Sequence, residues 1–289
     1  MKKYKGFQLT WWLTFSYIFI TFLVQGILFY FFPYMNQNIL SLLSQTAMLI
    51  PLLSGFFILK RIFPYDTLSN MTGIKGFDIT FLIPLMILPV CSSFFISYVT
   101  APVNIFIYTI FGEYDPGLNP PDNLKDFIYI FTSLCIIAPF AEEFLFRGIM
   151  LKLLDRYGTI FSVIVSSAAF SFLHFNPAGF IPIFFLGIIL ALLKLGTGSI
   201  LACIVFHLSN NFFSFLVMIF EKNLIIPENI LFIFSVCAAA LFPVLLFVFF
   251  KFYSNKFYFS GTGEKPGFSM GLLLTVIAFS AVSVLTIQL

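Results

Sequence analysis

Apolar runs about 20 residues long recur along nearly the whole of this 289-residue chain, and no other feature constrains its fold as strongly. A helix needs ~20 apolar residues to cross the ~30 Å hydrocarbon core of a lipid bilayer. We therefore predict an all-α fold, a polytopic transmembrane helical bundle with eight or nine spans. The runs lie at residues 8–32, 39–59, 77–100, 127–153, 159–176, 180–195, 199–220, 229–250 and 267–287.

The composition supports the same class of protein. Apolar residues make up 60% of the chain and charged residues only 9%, whereas a soluble domain carries roughly 25% charged residues. The net charge of +3 is spread over several loops, so nucleic-acid binding has no support. The four cysteines lie in apolar runs without CxxC spacing and are interpreted as small hydrophobic residues. We predict a single integral membrane domain over residues 1–289.

Basic residues fall in every second loop, which predicts the orientation of the chain in the membrane. Lysine and arginine accumulate in cytoplasmic loops. The pattern favours a multi-pass protein of the plasma membrane with a cytoplasmic N-terminus. The first apolar run is too long for the apolar region of a signal peptide, so we interpret it as a membrane helix. The basic loop residues are Lys2, Lys3, Lys5, Lys60, Arg61, Lys75, Lys152, Arg156, Lys194, Lys251, Lys256 and Lys265.

Five ionisable residues lie inside these apolar runs, and they are the candidate functional residues. They are Glu142, Glu143, Arg147, His174 and His207. A charge at the centre of a bilayer costs at least ~2.5–3.5 kcal/mol, so such residues are rare and commonly functional. A structural interpretation fits each motif alone, because a Glu–Arg pair or a histidine can also hold helices together. The three motifs together favour function.

Helical spacing indicates which of these groups can meet. Glu143 and Arg147 are i,i+4 neighbours in the favourable order and are expected to pair. Glu142 is ~100° around the helix from Glu143, so we expect that the two carboxylates do not share one partner. Arg147 would then neutralise Glu143 and leave Glu142 for chemistry. Two further i,i+4 pairs join the set, Phe170 with His174 and His207 with Asn211.

The depth of these groups in the bilayer imposes a condition. At ~1.5 Å per residue, a crossing that begins at Asp126 would leave Glu142 and His174 ~18 Å apart along the membrane normal. A crossing that begins near Leu134 brings them to similar depths. We therefore predict that 123–133 is an extension or an interfacial segment, and that Pro139 breaks or kinks the helix.

Two chemistries fit a carboxylate, two histidines and an amide. They can activate a water molecule and stabilise an oxyanion. Alternatively, Glu142, His174 and His207 can hold a zinc ion with water as the fourth ligand. Nucleophilic catalysis is not favoured, because no serine has a Gly-x-Ser-x-Gly setting and Cys203 lies in an ordinary apolar run.

At these residues the chain resembles the CAAX protease and bacteriocin-processing family of intramembrane proteases, which includes the type 2 CAAX prenyl endopeptidases. The resemblance covers about residues 128–220. It rests on three motifs in order, Glu-Glu-x-x-x-Arg, Phe-x-x-x-His and His-x-x-x-Asn, and on Thr197-Gly-Ser-Ile200 before the last of them. The motifs are met here by Glu142, Glu143 and Arg147, by Phe170 and His174, and by His207 and Asn211.

The resemblance implies an intramembrane endopeptidase that acts on a membrane-associated peptide or protein. It implies that Glu142 activates water with help from His174, and that His207 and Asn211 stabilise the oxyanion. Glu143, Arg147 and Phe170 would support the site. We expect no cofactor, with a zinc-dependent version as the alternative. Asn210 leaves open which amide faces the site, and a non-catalytic immunity or transport protein is the remaining alternative.

Overall fold

The structure is a computed structural model, and it describes residues 5–67, 69, 72–111, 120–223, 227–253, 266–267 and 269–287. Within these residues every regular element is helical and no strand is present, which confirms the all-α prediction. The basic residues at 2, 3, 256 and 265 lie outside the described residues. The helices are α1 (Gly6–Phe31), α2 (Gln37–Thr46), α3 (Leu49–Ile62), α4 (Leu82–Phe111), α5 (Leu124–Tyr157), α6 (Thr159–Phe172), α7 (Phe180–Thr197), α8 (Ile200–Asn223), α9 (Glu228–Tyr253) and α10 (Met270–Ile287).

Among the described residues, six helices are long and apolar enough to cross a membrane. They are α1, α4 with the short 3-10 turn before it, α5, α7, α8 and α9. Two further apolar segments, Thr159–Phe172 and Met270–Ser280, are shorter. The predicted span at 39–59 is divided between α2 and α3. The long apolar helices indicate an integral membrane protein, but the six are fewer than the eight or nine spans predicted.

The helix α5 carries both glutamates and departs from regular α geometry twice. Phe131–Ile137 and Phe144–Met150 are π-helical, and the α-helical turn Ala138–Glu143 lies between them. A π segment bonds each N–H to the carbonyl five residues back and commonly marks a functional site. The helix is continuous through Pro139, so the predicted break is absent. The π segment before the proline accommodates its missing backbone N–H.

Two large apolar clusters hold the helices together. Helix α5 contributes to the first cluster and helix α8 to the second. The first joins the buried face of α1, with Trp11 and Tyr17, to α5 and α6. The second joins α4, α7, α8 and α9. Helices α6 and α7 cross closely at Gly187, where a Cβ atom would lie 3.0 Å from the Cα of Ser167. This close crossing brings the backbone of α7 within reach of α5.

Candidate active site

His207 lies between the two carboxylates of α5. Its Nδ1 is 2.8 Å from Oε1 of Glu143, and its Nε2 is 3.8 Å from Oε2 of Glu142. The prediction that the two carboxylates do not share one partner is therefore wrong. The two nitrogens are on different edges of the imidazole, so one ring on α8 faces both glutamates although they point in different directions from α5.

Glu143 also forms the predicted pair with Arg147. Nη1 of Arg147 lies 3.3 Å from Oε1 of Glu143, and both side chains are almost completely buried. Nη2 of Arg147 donates to the carbonyl oxygen of Gly187 at 3.2 Å. The guanidinium therefore joins α5 to α7. The Oε1 atom of Glu143 is contacted by both Arg147 and His207.

Glu142 differs from Glu143 in its surroundings. Its Oε2 atom, like that of Glu143, accepts no hydrogen bond from the described protein groups, and the Nε2 atom of His207 lies 3.8 Å from it. Its side chain is 8% exposed, whereas that of Glu143 is 0% exposed. Glu142 is therefore the less enclosed of the two carboxylates.

Phe170 packs against three of the predicted site residues. Its ring centroid is 5.0 Å from that of His174 and 5.8 Å from that of His207, and the ring is nearly perpendicular to the His207 ring. The Cζ atom of Arg147 lies 4.4 Å from the centroid of Phe170. The buried phenyl ring thus fixes the spacing of the two imidazoles and provides a cation–π partner for the guanidinium.

His174 has one defined hydrogen bond, which determines its neutral tautomer. Its Nδ1 lies 3.0 Å from the carbonyl oxygen of Phe170. A carbonyl oxygen only accepts, so Nδ1 donates and the Nε2 of the neutral ring is an acceptor. The Phe170 ring contacts both this imidazole and that of His207, and Nε2 of His207 faces Glu142. The structure thus brings His174, His207 and Glu142 into one region.

Asn211 faces α5, and Asn210 faces α4. The Nδ2 of Asn211 donates to the carbonyl oxygen of Leu134 at 2.8 Å. The Oδ1 of Asn210 instead accepts a hydrogen bond from the hydroxyl of Ser93 at 2.9 Å. Ser93 was missed by the sequence reasoning, because a serine in an apolar helix carries no signal that separates it from ordinary helix packing.

The structure shows the extent of α5, whereas the depth of Glu142 in the bilayer stays a prediction. The helix begins at Leu124, capped by the side chain of Asn123, and is continuous to Tyr157. Its 34 residues span about 51 Å at ~1.5 Å per residue, which exceeds the ~30 Å hydrocarbon core. Residues 124–133 are helical and continuous with the rest of α5, so Leu134 lies inside the helix.

The donor atoms do not form a zinc site in this arrangement. In the part of the chain that the structure describes, no group of three or more histidine, cysteine, aspartate or glutamate side chains is placed to hold a metal ion. Nδ1 of His207 is engaged by Glu143, so that ring offers only its Nε2. Cys203 is fully buried, and its Sγ faces the carbonyl oxygens of Leu190 and Ser199 rather than the site.

Residues 124–213 match the family model described as type II CAAX prenyl endopeptidase Rce1-like. This stretch is similar to the Rce1-like domain. The match includes every predicted site residue from Glu142 to Asn211, and it confirms the resemblance drawn from the motifs. At the level of the family, the Rce1-like domain supports a CAAX-type intramembrane protease, and thus a peptidase. No curated protein and no solved structure matches the chain.

The buried ion pair yields a prediction about stability. We expect Arg147→Met to lower the free energy of unfolding by about 3 to 5 kcal/mol, because Glu143 is left buried without its cation. Adding Glu143→Gln to Arg147→Met should recover part of this loss, because the uncompensated charge is removed. Thermal unfolding in detergent micelles measures both effects.

Lys152→Met is the matched control for Arg147→Met. Lys152 is also a cation on α5, but it is partly exposed and its Nζ lies over the Phe63 ring at 5.1 Å. Its loss should cost less than about 1 kcal/mol. An Arg147→Met variant as stable as Lys152→Met would contradict the role given to the pair.

Proposed function

We propose that this protein is an intramembrane endopeptidase that hydrolyses a peptide bond of a membrane-associated peptide or protein, with Glu142 as the general base. One observation carries the proposal. The Oε2 atom of Glu142 is buried without a hydrogen-bond donor and faces an imidazole nitrogen at 3.8 Å. A carboxylate in this position is an acceptor for the protons of water, and it lies inside the segment that matches a peptidase family.

The proposed reaction begins with proton transfer from a water molecule to Glu142. The water oxygen forms a bond with the scissile carbonyl carbon, and the carbonyl oxygen becomes an oxyanion. Glu142 then returns its proton to the amide nitrogen as the carbon–nitrogen bond breaks, which yields a carboxylic acid and an amine. A positioned base of this kind contributes typically ~10²–10⁴-fold in rate. Nε2 of His174, an acceptor in the neutral ring, orients the same water.

His207 and Asn211 are the proposed oxyanion donors. Nδ1 of His207 donates to Glu143, so Nε2 carries a hydrogen only when the ring is charged. Asn211 uses one N–H on the Leu134 carbonyl and keeps a second N–H for the substrate. One donor to an oxyanion is worth about 2.7–4 kcal/mol of transition-state stabilisation. Glu143 and Arg147 support His207, and Phe170 spaces the two imidazoles.

The proposal includes a single membrane domain over residues 1–289 with nine crossings. The six long helices, the two shorter apolar segments Thr159–Phe172 and Met270–Ser280, and α2 together with α3 make up that number. The proposed location is the plasma membrane. The apolar surroundings of the site favour a substrate that is itself held in the bilayer, such as a prenylated CAAX tail or a leader peptide.

A cytoplasmic N-terminus is proposed, and the grouping of charges supports it. The backbone N–H of Phe7 faces the hydroxyl of Tyr157 at 3.4 Å, next to the basic residues at 152 and 156. Lys75 and Lys152 both act electrostatically on Lys194 at the end of α7. At the other end of α1, Asn36 donates to Asp126. One end of the bundle is therefore basic, as cytoplasmic ends commonly are.

A cysteine introduced near each end of α5 in turn tests this orientation. In a protein whose four cysteines are replaced by serine, Asp122→Cys should react with a membrane-impermeant maleimide in intact cells. Asp155→Cys, exposed at the other end of α5, should react only after the cells are permeabilised. Labelling in the opposite pattern would reverse the proposed orientation.

Loss of cleavage in two variants tests the protease proposal. The assay uses purified protein in lipid vesicles and a quenched fluorescent, farnesylated peptide that ends in a CAAX sequence. We expect Glu142→Gln and His174→Ala each to lower kcat by about 10²- to 10⁴-fold, with normal insertion and expression. Cys203→Ser, one turn before His207, should keep full activity because its hydroxyl can bond to the same two carbonyls.

Cleavage retained in Glu142→Gln would refute the assigned base. A wild-type protein that binds this peptide without cleaving it would favour the non-catalytic alternative. A comparison of membrane peptides from cells that carry wild-type or Glu142→Gln protein extends the test to natural substrates, because peptides that accumulate only with the variant are candidates.

Metal removal distinguishes the proposed mechanism from its zinc-dependent version. The absence of a three-donor group among the described residues supports a mechanism that uses the carboxylate alone. We expect elemental analysis of active protein to find no stoichiometric zinc, and dialysis against a chelator to leave kcat unchanged. Zinc at one ion per chain, lost together with activity, would overturn this part of the proposal.

A further inference from the structure

A chain of hydrogen bonds crosses three helices and ends at Asn211. The hydroxyl of Ser93 on α4 lies 2.9 Å from Oδ1 of Asn210 on α8. Nδ2 of Asn210 lies 3.3 Å from Oδ1 of Asn211, and Nδ2 of Asn211 lies 2.8 Å from the carbonyl oxygen of Leu134 on α5. Ser93 is outside residues 124–213, the segment that matches the peptidase family.

The direction of every bond in this chain follows from its last member. The carbonyl of Leu134 can only accept, so the atom of Asn211 that faces it must be Nδ2. The other atom, Oδ1, then requires a donor, which is Nδ2 of Asn210. The Oδ1 of Asn210 in turn requires a donor, which is the Ser93 hydroxyl. No side-chain amide in the chain can be reversed without bringing two acceptors together.

The backbone of α5 explains why the Leu134 carbonyl is available. The N–H of Ala138, its partner in an α-helix, bonds instead to the carbonyl of Ser133 in the π segment. Its partner in a π-helix would be the nitrogen of residue 139, which is Pro139 and has no hydrogen. The carbonyl is therefore left without either helical partner, and a buried carbonyl without a donor is costly. Asn211 supplies the donor.

The Ser93 hydroxyl has two acceptors within reach. It lies 2.9 Å from the carbonyl oxygen of Pro89, one turn earlier on α4, and 2.9 Å from Oδ1 of Asn210. The hydroxyl of Ser92 also donates to the Pro89 oxygen at 2.9 Å, and a carbonyl oxygen can accept two hydrogen bonds. Because the Asn210 amide cannot be reversed, its Oδ1 is the acceptor that requires the Ser93 hydrogen.

We infer that Ser93 and Asn210 are positioning residues for the hydrolysis, which act by holding the Asn211 amide in one orientation. This inference rests on the proposed function. With Oδ1 of Asn211 bonded to Asn210 and one N–H bonded to Leu134, the second N–H of Asn211 is the donor that remains for the substrate carbonyl. The amide of Asn210 faces Ser93 and Asn211 rather than α5.

Steady-state kinetics with the farnesylated peptide test the role of Ser93. We expect Ser93→Ala to lower kcat about 3- to 10-fold with KM unchanged, the size expected for one net hydrogen bond. Ser93→Thr should restore most of the loss because it keeps the hydroxyl. Ser92→Ala, which removes the same atoms from the next residue without touching Asn210, should change kcat less than about 2-fold.

A double-mutant cycle shows whether Ser93 acts through Asn211. In an Asn211→Ala background, Ser93→Ala should cause no further fall in kcat, because its target is gone. If Ser93→Ala lowers kcat by the same factor in both backgrounds, or if Ser92→Ala causes an equal loss, the positioning role is refuted and a general effect on packing is indicated.

Side-chain NMR signals separate this inference from the protease assignment. In detergent-solubilised protein labelled with ¹⁵N-asparagine, the two NH₂ resonances are assigned with Asn210→Ala and Asn211→Ala. Ser93→Ala should shift the Asn211 resonance, and Ser92→Ala should not. An unshifted Asn211 resonance refutes the hydrogen-bonded chain whether or not the protein cleaves the peptide. A shifted resonance in a protein without peptidase activity refutes the proposed function and the catalytic role, but leaves the chain itself established.

Discussion

The buried carboxylate of Glu143 is the interaction on which the arrangement of the site depends. Its Oε1 atom receives both His207 from α8 and Arg147 from its own helix, and Arg147 continues to the backbone of α7. A buried charge is tolerated only when it is paired and hydrogen-bonded. Three helices are therefore held at the depth and rotation at which these groups meet, because any other packing would leave a charge without its partner.

This constraint gives the two adjacent glutamates different environments. Glu143 is fully enclosed and its Oε1 is engaged by Arg147 and His207, whereas Glu142, one residue earlier, faces His207 at 3.8 Å and keeps some exposure. The separation of ~100° around a helix is enough to direct the first into the protein and the second towards the site. His207 links them, since one imidazole edge is fixed by Glu143 and the other faces Glu142.

The π segments of α5 place backbone groups of this helix next to partners on another helix. The segment before Pro139 leaves the Leu134 carbonyl without a helical donor, and Asn211 satisfies it. The segment after Glu143 contains Arg147 and Gly148, and a Cβ at Gly148 would lie 3.3 Å from Ile200 at the start of α8. Both irregular segments thus lie where α5 approaches α8, and each brings a group on α5 to a partner on another helix.

The sequence by itself determined the helical membrane class and the Glu143–Arg147 pair. Those features depend on length, composition and spacing within one helix, which are local properties. Only the tertiary structure decided that His207 faces both carboxylates, that the run at 39–59 divides into two helices, and that Ser93 reaches Asn210. These depend on the rotation and axial register of one helix against another. The rotation and the axial register of a helix are set by the fit of its side chains along the whole contact with its neighbours. The spacing of residues within a single helix does not determine either of them.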